Sequence, residues 1–393
     1  MAMEGGVFGT KRYEISSLNF IDLMGNSGPA INEIEFNNWL CRNCANVLIV
    51  TPNESGRVVM GQDGKIFAIG RMSIKRLPEF IFKQIVVVIL LAKTLGHGAL
   101  LYYRHSRLSF AVVLLRIFRP DVRLVVHRAH PAGGDVGISE SKIRRFTGRL
   151  IEVLDSRLRT LVYRFAEWID CVNSQQASLL AKEAGREVRV VMNGVNVDRF
   201  SSVPDEAKWS VRDKYRIPRD SVVIGYCGGF PVQRGARQIR ALLDLNEAMW
   251  GIVIGKLSSD EAEELMHPRL LLLGEIPYED VPTHVAVFDI AVAFDLPERS
   301  AIVGNSNQKI RQGLASGAWV LTSNSDIDLD GRPWLGKDVD SRDLAAQQQA
   351  IITAAPYLQQ RQRRIDFARL ELDIDAIFSR RHVAVISGCH RHV

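Results

Sequence analysis

Cysteine is scarce in this chain of 393 residues: Cys41, Cys44, Cys171, Cys227 and Cys389 are few and odd in number. That argues against a disulfide framework and fits a reducing compartment. Long apolar runs are missing too. The longest, "IVVVILLA" from Ile85 to Ala92, lies between Lys83 and Lys93. It falls far short of the roughly 20 residues that span a bilayer, so a buried helix is expected. No basic-then-apolar segment opens the chain, so a cytoplasmic protein is expected. Charge of one sign is also modest, with a net +6.

What is present is the composition of a globular protein, 47% hydrophobic and 24% charged. The length exceeds one ordinary core, and two domains are the natural expectation. The basic residues are unevenly spread. From Leu101 to Pro131 stand Arg104, Arg107, Arg116, Arg119, Arg123 and Arg128 against Asp121 alone. Such a bias fits phosphate-bearing ligands, an anionic membrane surface or nucleic acid.

Residues 1–44 show no firm periodicity and read as an extension. "NVLIV" (46–50) is a buried-strand run, and 57–70 is a hairpin candidate turning at Asp63-Gly64. A helix over 78–94, strand "ALLYY", helix 108–118 and strand "RLVVH" follow, then helical spacing from Ser139 to Trp168. "VRVVMNGVNVDRF" (188–200) sets an apolar β-rich run against Asn193-Gly194, which is a strong hairpin signal. The next piece is short and breaks at Ser201, Ser202 and Pro204. Beyond it the strand–helix alternation starts again: "SVVIGYCGG", "WGIVIG", "RLLLLG", "DIAVAF" and "AWVLTS" with helices between. Two successive doubly wound units imply parallel sheets facing a cleft, with ligands at the strands' carboxyl ends. On that reading Asn193-Gly194 ends the last strand of the first unit.

These motifs carry a resemblance. "VRVVMNGVNVDRF" is similar to the interdomain motif of family-four glycosyltransferases of the GT-B fold, and "VIGYCGGFPVQRG" resembles their first C-domain strand and Gly-rich turn. "RLLLLGEIPYEDVPTHVAVFDIAVAF" is the most specific stretch, and "NQKIRQGLASGAWVLTS" resembles the family's Lys-Ile signature helix. "FAEWIDCVNSQQASLL" looks like the segment closing the N-domain helices. The resemblance covers most of residues 100–325. It implies an α/β GT-B protein with two Rossmann-like domains, divided as 1–44 extension, 45–200 acceptor domain, 201–345 nucleotide-sugar domain and 346–393 C-terminal helices packing partly back on the N-domain. It further implies a retaining, metal-independent transfer of a sugar from a UDP- or GDP-sugar to a glycan or lipid-linked acceptor. The task would be surface-polysaccharide or glycolipid synthesis. The basic helix at 139–168 has two readings, a face lying against anionic membrane and, the more ordinary, a packed helix with a solvated face. No cofactor, metal or nucleic-acid partner is expected.

Such chemistry must stabilise a leaving diphosphate with cations, backbone amides and helix N-termini. Gly228 and Gly229 would admit those amides, although an ordinary strand-to-helix turn has the same letters. Arg234, where the family usually has Lys before Gly, is assigned to the diphosphate. Lys309 has two readings, a phosphate ligand and an exposed side chain. Gly274, Glu275 and Ile276 would present backbone to the base. Gln312 replaces the family's ribose-binding glutamate, and an amide still hydrogen-bonds a diol. The sugar-contacting glutamate falls at Gly304, with Asn305 or Asn307 as substitutes. His127, ending "RLVVH" ahead of a Gly-rich loop, is the catalytic candidate with Arg234. Gly229, Gly304 and Gln312 together motivate the alternative, an inactive GT-B homologue that binds nucleotide or a partner. Cys41-Arg42-Asn43-Cys44 and Cys389-His390-Arg391-His392 lack the tight spacing of structural zinc.

Overall fold

The computed structural model describes residues 12–21, 28–53, 58, 64–70, 73, 76–106, 108–128, 142–229, 231–294, 308–323 and 325–387. The chain divides into two compact units, Met1–Val191 with Arg380–Val393, and Met192–Ser379.

The first unit holds β1 (Tyr13–Leu18), β2 (Val47–Thr51), β3 (Lys65–Ala68), β4 (Leu95–Arg104), β5 (Arg123–Arg128), β6 (Trp168–Cys171) and β7 (Arg189–Val190). Among the described residues they form one sheet in the order β3-β2-β1-β4-β5-β6-β7, and every pairing is parallel. Helices α1 (Gly28–Asn43), α2 (Leu77–Thr94), α3 (Phe110–Phe118), α4 (Lys142–Phe165) and α5 (Ser174–Ala184) connect the strands. Strands buried on both faces become continuous apolar runs, as β2 and "LVV" of β5 do. Pro78 lies in the first turn of α2, where its missing N–H costs nothing. Asn173 caps α5 by accepting from Gln176 N at 2.8 Å, and Gly185 closes it at φ +64°.

One sequence expectation is corrected here. Residues 1–44 are not simply an extension, because β1 lies in the sheet between β2 and β4. Its Ser16 and Ser17 are buried, and Ser16 Oγ donates to Leu48 O at 2.9 Å. Helix α1 buries Glu33, Glu35 and Asn37, which hides its periodicity. The hairpin candidate of 57–70 has most of its first arm and its turn outside the described residues; its second arm holds β3, which pairs parallel with β2.

Nor does Asn193-Gly194 turn a hairpin. After β7 the chain enters the second unit, where Val195 N donates to Leu372 O at 2.9 Å and Ile374 N to Val195 O at 3.0 Å. A Cβ on Gly194 would fall 2.5 Å from Ile374 Cα, so the glycine answers a close backbone approach.

The second unit carries β8 (Val222–Cys227), β9 (Met249–Ile254), β10 (Leu270–Gly274), β11 (Ile290–Ala293), β12 (Trp319–Thr322) and β13 (Gly336–Asp338). Their order is β10-β9-β8-β11-β12-β13, again all parallel. The helices are α6 (Val197–Ser201), α7 (Asp205–Lys214), α8 (Ala236–Leu245), α9 (Ser259–Glu264), α10 (Val281–Val285), α11 (Gln308–Ala315), α12 (Leu344–Ala354), α13 (Arg361–Phe367) and α14 (Ile374–Ser387). Arg364 on α13 is fully buried and donates to the carbonyls of Gly317, Trp334, Tyr357 and Leu358 at 2.7–3.1 Å. From Arg380 onward α14 belongs to the first unit.

Candidate functional site

In the second unit, the carboxyl ends of β8, β9 and β10 are drawn into line by two hydrogen bonds beyond the strands. Gly228 N donates to Ile254 O, and Gly255 N to Gly274 O, each at 2.8 Å. Gly228 sits at φ +146° and Gly255 at φ +150°, conformations that disfavour any side chain. A Cβ on Gly255 would overlap the Gly228 carbonyl oxygen, so Gly255 answers a close approach of two backbone segments. Gly229 is exposed, with open space where a Cβ would be, and its carbonyl accepts from Tyr226 Oη at 2.6 Å.

The turn after these glycines, Val232–Arg234, leads into α8 through Gly235 at φ +140°. A Cβ there would lie 2.7 Å from Val292 Cγ1. Arg234 is half-buried, and its carbonyl accepts from Phe294 N at 3.0 Å, tying the turn to the end of β11.

Lys309, in the first turn of α11, lies across Gly228. A Cβ on that glycine would overlap Lys309 Cε and sit 3.2 Å from Nζ. Nζ also stands 5.5 Å from the Tyr226 ring centroid. Burial pushes the Cys227 thiol up to about 12, against the opposing pull of Lys309. Gln308 Nε2 donates to Gly194 O at 2.7 Å, fixing the helix start. A helix N-terminus, an ammonium and exposed backbone thus converge on one strand end, which is the chemistry of an anion site.

The predicted residues are distributed as follows. Gly228, Gly229 and Gly274 stand at the ends of β8 and β10, Lys309 lies across the first of them, and Arg234 follows in the turn tied to the end of β11. Glu275 is exposed and Ile276 half-buried just past β10. Gln312, at i+3 from Lys309, is 7% exposed. Asn307, with Gly304 and Asn305, lies outside the described residues. His127 belongs to the first unit, near the end of β5, and its side chain is 15% exposed.

Around His127 the structure assembles a group that sequence reading missed. Its Nδ1 is hydrogen-bonded to Asp170 Oδ1, and Asp170 Oδ2 accepts from Arg381 Nε at 2.8 Å. Asp170 is fully buried in β6 and Arg381 is 4% exposed. Burial lowers the imidazole from its usual range, and the attraction of Asp170 offsets only part of this. Burial would raise the Asp170 carboxyl, but Arg381 and His127 bring it below its ordinary value. An aspartate inside the apolar strand "WIDC" was the available signal.

The basic run of 101–131 is not a free patch. Arg104 pairs with Glu33 at 2.6 Å, both buried. Arg116 donates to the carbonyls of Arg119 and Pro120, and Arg119 to Asp121 and to those of Ala92, Leu95 and Gly96. Arg123 pairs with Glu167, and Arg128 donates to Tyr163 Oη at 2.8 Å. Arg107 lies outside the described residues. Among the described residues no cluster of His, Cys, Asp or Glu is arranged to hold a metal. None of their helices is long and apolar enough to cross a membrane.

Solved structures match nearly the whole chain. Anabaena HepE, crystallised with UDP-glucose, superposes with a TM-score of 0.66 at 14% identity, covering 95% of this chain and 99% of that one. This chain has the GT-B fold. Sucrose-phosphate synthase from Thermosynechococcus elongatus gives 0.69 at 14% identity, over 96% and 99% of the two chains. WaaG, a glycosyltransferase involved in lipopolysaccharide biosynthesis, gives 0.59 at 14% identity over 95% and 99%. No protein-family model and no curated sequence matches the chain. The GT-B assignment therefore rests on shape, and the reaction must be argued from the site.

Proposed function

We propose that this GT-B chain is a glycosyltransferase that takes a sugar from a nucleoside-diphosphate donor and attaches it to a glycan or lipid-linked acceptor. The observation that carries this reading is Lys309 lying across Gly228 at the carboxyl end of β8. The GT-B neighbours HepE and WaaG support it, the first having been crystallised with UDP and with UDP-glucose.

On this reading Lys309, Arg234 and the amides at Gly228, Gly229 and the start of α11 hold the diphosphate and stabilise its charge as the glycosidic bond breaks. Cations and helix dipoles suffice for that task, so the transfer is metal-independent, and it retains the anomeric configuration. Gln312 takes the ribose hydroxyls, the backbone of Gly274, Glu275 and Ile276 the base, and His127 the donor sugar. The acceptor belongs to surface-polysaccharide or glycolipid assembly at the cytoplasmic face of a membrane. Exposed Leu77, Ile81, Phe82, Ile85 and Ile89 on α2 support peripheral membrane contact.

The test is a thermal-shift and turnover screen over UDP, GDP, ADP and their sugars, because a ligand that binds only the folded state raises its stability. Stabilisation by one nucleotide with sugar release or transfer is expected. No shift and no turnover across the panel would remove the assignment. A shift without turnover would favour the binding-only alternative.

A further inference from the structure

We infer that Asp170 and Arg381 are positioning residues that fix the tautomer of His127, so that its Nε2 presents a lone pair to a hydroxyl of the donor sugar. This rests on the glycosyltransferase reading for the identity of the ligand, but not for the tautomer.

The assignment follows from what each group can give. Arg381 Nε only donates, so Asp170 Oδ2 accepts from it at 2.8 Å. An ionised carboxylate has no hydrogen to give, so the contact of Asp170 Oδ1 with His127 Nδ1 requires the hydrogen on Nδ1. In a neutral ring Nε2 is then an acceptor. Arg381 neutralises the Asp170 charge, while Arg104 also stands near the ring and opposes its protonation. An acceptor nitrogen meets a hydroxyl and rejects a phosphate oxygen, so this arrangement selects the sugar end of a donor.

Two further observations separate this from a purely structural cluster. Ionic groups buried this deeply stabilise little compared with apolar packing of the same volume. Yet Asp170 is fully buried, and Arg381 lies 4.9 Å and 5.0 Å from the rings of Phe36 and Tyr102. Meanwhile the His127 side chain keeps 15% exposure, and among the described residues Nε2 has no hydrogen-bond partner. The carboxylate is sealed while the imidazole keeps partial exposure. Arg381 comes from the C-terminal segment that rejoins the first unit, so that segment sets the ring's state.

Asp170→Asn tests the idea in the full chain. Arg381 still donates to the amide oxygen, which turns the amide NH2 toward Nδ1 and moves the ring hydrogen to Nε2. The expected result is a fall in kcat/KM for the donor of about 10- to 100-fold, the usual cost of one buried hydrogen bond left unmade. UDP binding to the second unit should not change. In a His127→Ala background the same substitution should cost nothing more. An equal loss in both backgrounds would mean a structural role and overturn the proposal, as would wild-type activity in the single variant. Nitrogen-15 NMR of histidine-labelled wild-type protein near pH 7.5 gives a readout independent of turnover. Hydrogen on Nδ1 is expected for His127, and hydrogen on Nε2 or a charged ring refutes the inference. If no donor is turned over but NMR shows hydrogen on Nδ1, the function reading fails while the tautomer assignment stands. If Asp170→Asn does not fold, the wild-type spectrum decides alone.

Discussion

Replacing Lys309 by Met tests the anion site directly. The ammonium lies over the Gly228 backbone in the first turn of α11, so a bound diphosphate would meet both the charge and the helix N-terminus. A charge-assisted hydrogen bond contributes about 1.5–3 kcal/mol, or roughly 10- to 150-fold in Kd. At a nucleotide concentration about 100 times the wild-type Kd, binding stabilises the fold by about 2.7 kcal/mol. A 30-fold weaker variant retains about 0.9 kcal/mol at that concentration, and the ligand-induced rise in Tm shrinks to about a third. Gly228→Ala should reproduce the loss from the other side. Its Cβ would overlap Lys309 Cε, and φ +146° adds roughly 1–3 kcal/mol of strain to the fold itself. Because both changes act through one contact, the double variant should bind UDP no more weakly than either single variant. Isothermal titration calorimetry with UDP, paired with thermal unfolding, reads both quantities. Wild-type affinity in Lys309→Met, or fully additive losses in the double variant, would refute the reasoning.

Three other outcomes follow from the packing and charge. Gly255→Ala, with its Cβ overlapping the Gly228 carbonyl and φ at +150°, should cost more than about 3 kcal/mol in urea denaturation; a cost under about 1 kcal/mol would contradict it. Glu33→Met leaves the Arg104 guanidinium buried without its carboxylate and should cost about 3–5 kcal/mol, whereas the Glu33→Met/Arg104→Met pair should recover most of that. His105 is held well below its usual range by burial and by Arg128 and Arg159, so the unfolded chain takes up its proton first as pH falls. Its stabilising effect is therefore complete above about pH 6.5 and lost below it. Between pH 7.5 and 5.5 this contributes about 1.4 kcal/mol of lost stability, provided His105 stays neutral, and His105→Gln should remove that part of the slope.

The second unit was the more legible half because its strands read as apolar runs and three of them, β8, β9 and β10, run into glycine. That spacing alone placed Gly228, Gly229 and Gly274 at strand ends. It could not show that Lys309 lies across Gly228, because a side-chain contact between distant segments leaves no local periodicity. In the first unit β1 and α1 were invisible for a related reason. Ser16, Ser17, Glu33, Glu35 and Asn37 are polar letters at buried positions, and two of them meet partners far along the chain, Leu48 for Ser16 and Arg104 for Glu33.

The arginines between Leu101 and Pro131 show why charge counted along a sequence misleads. Composition offers an anionic ligand, a membrane or nucleic acid as partners. The fold instead engages the described ones with its own groups, and in Arg116 and Arg119 the donors of a rigid fork satisfy several carbonyls left over at helix and strand ends. Arg119 does this for Ala92, Leu95 and Gly96 while also holding Asp121. Arg364 does it fourfold in the second unit, and burial there lowers its pKa to about 10. An arginine used this way is neutralised by dipoles that a count of acidic residues never registers. Lys309 and Arg234 differ from these in their surroundings, turn glycines for both and a helix start for Lys309.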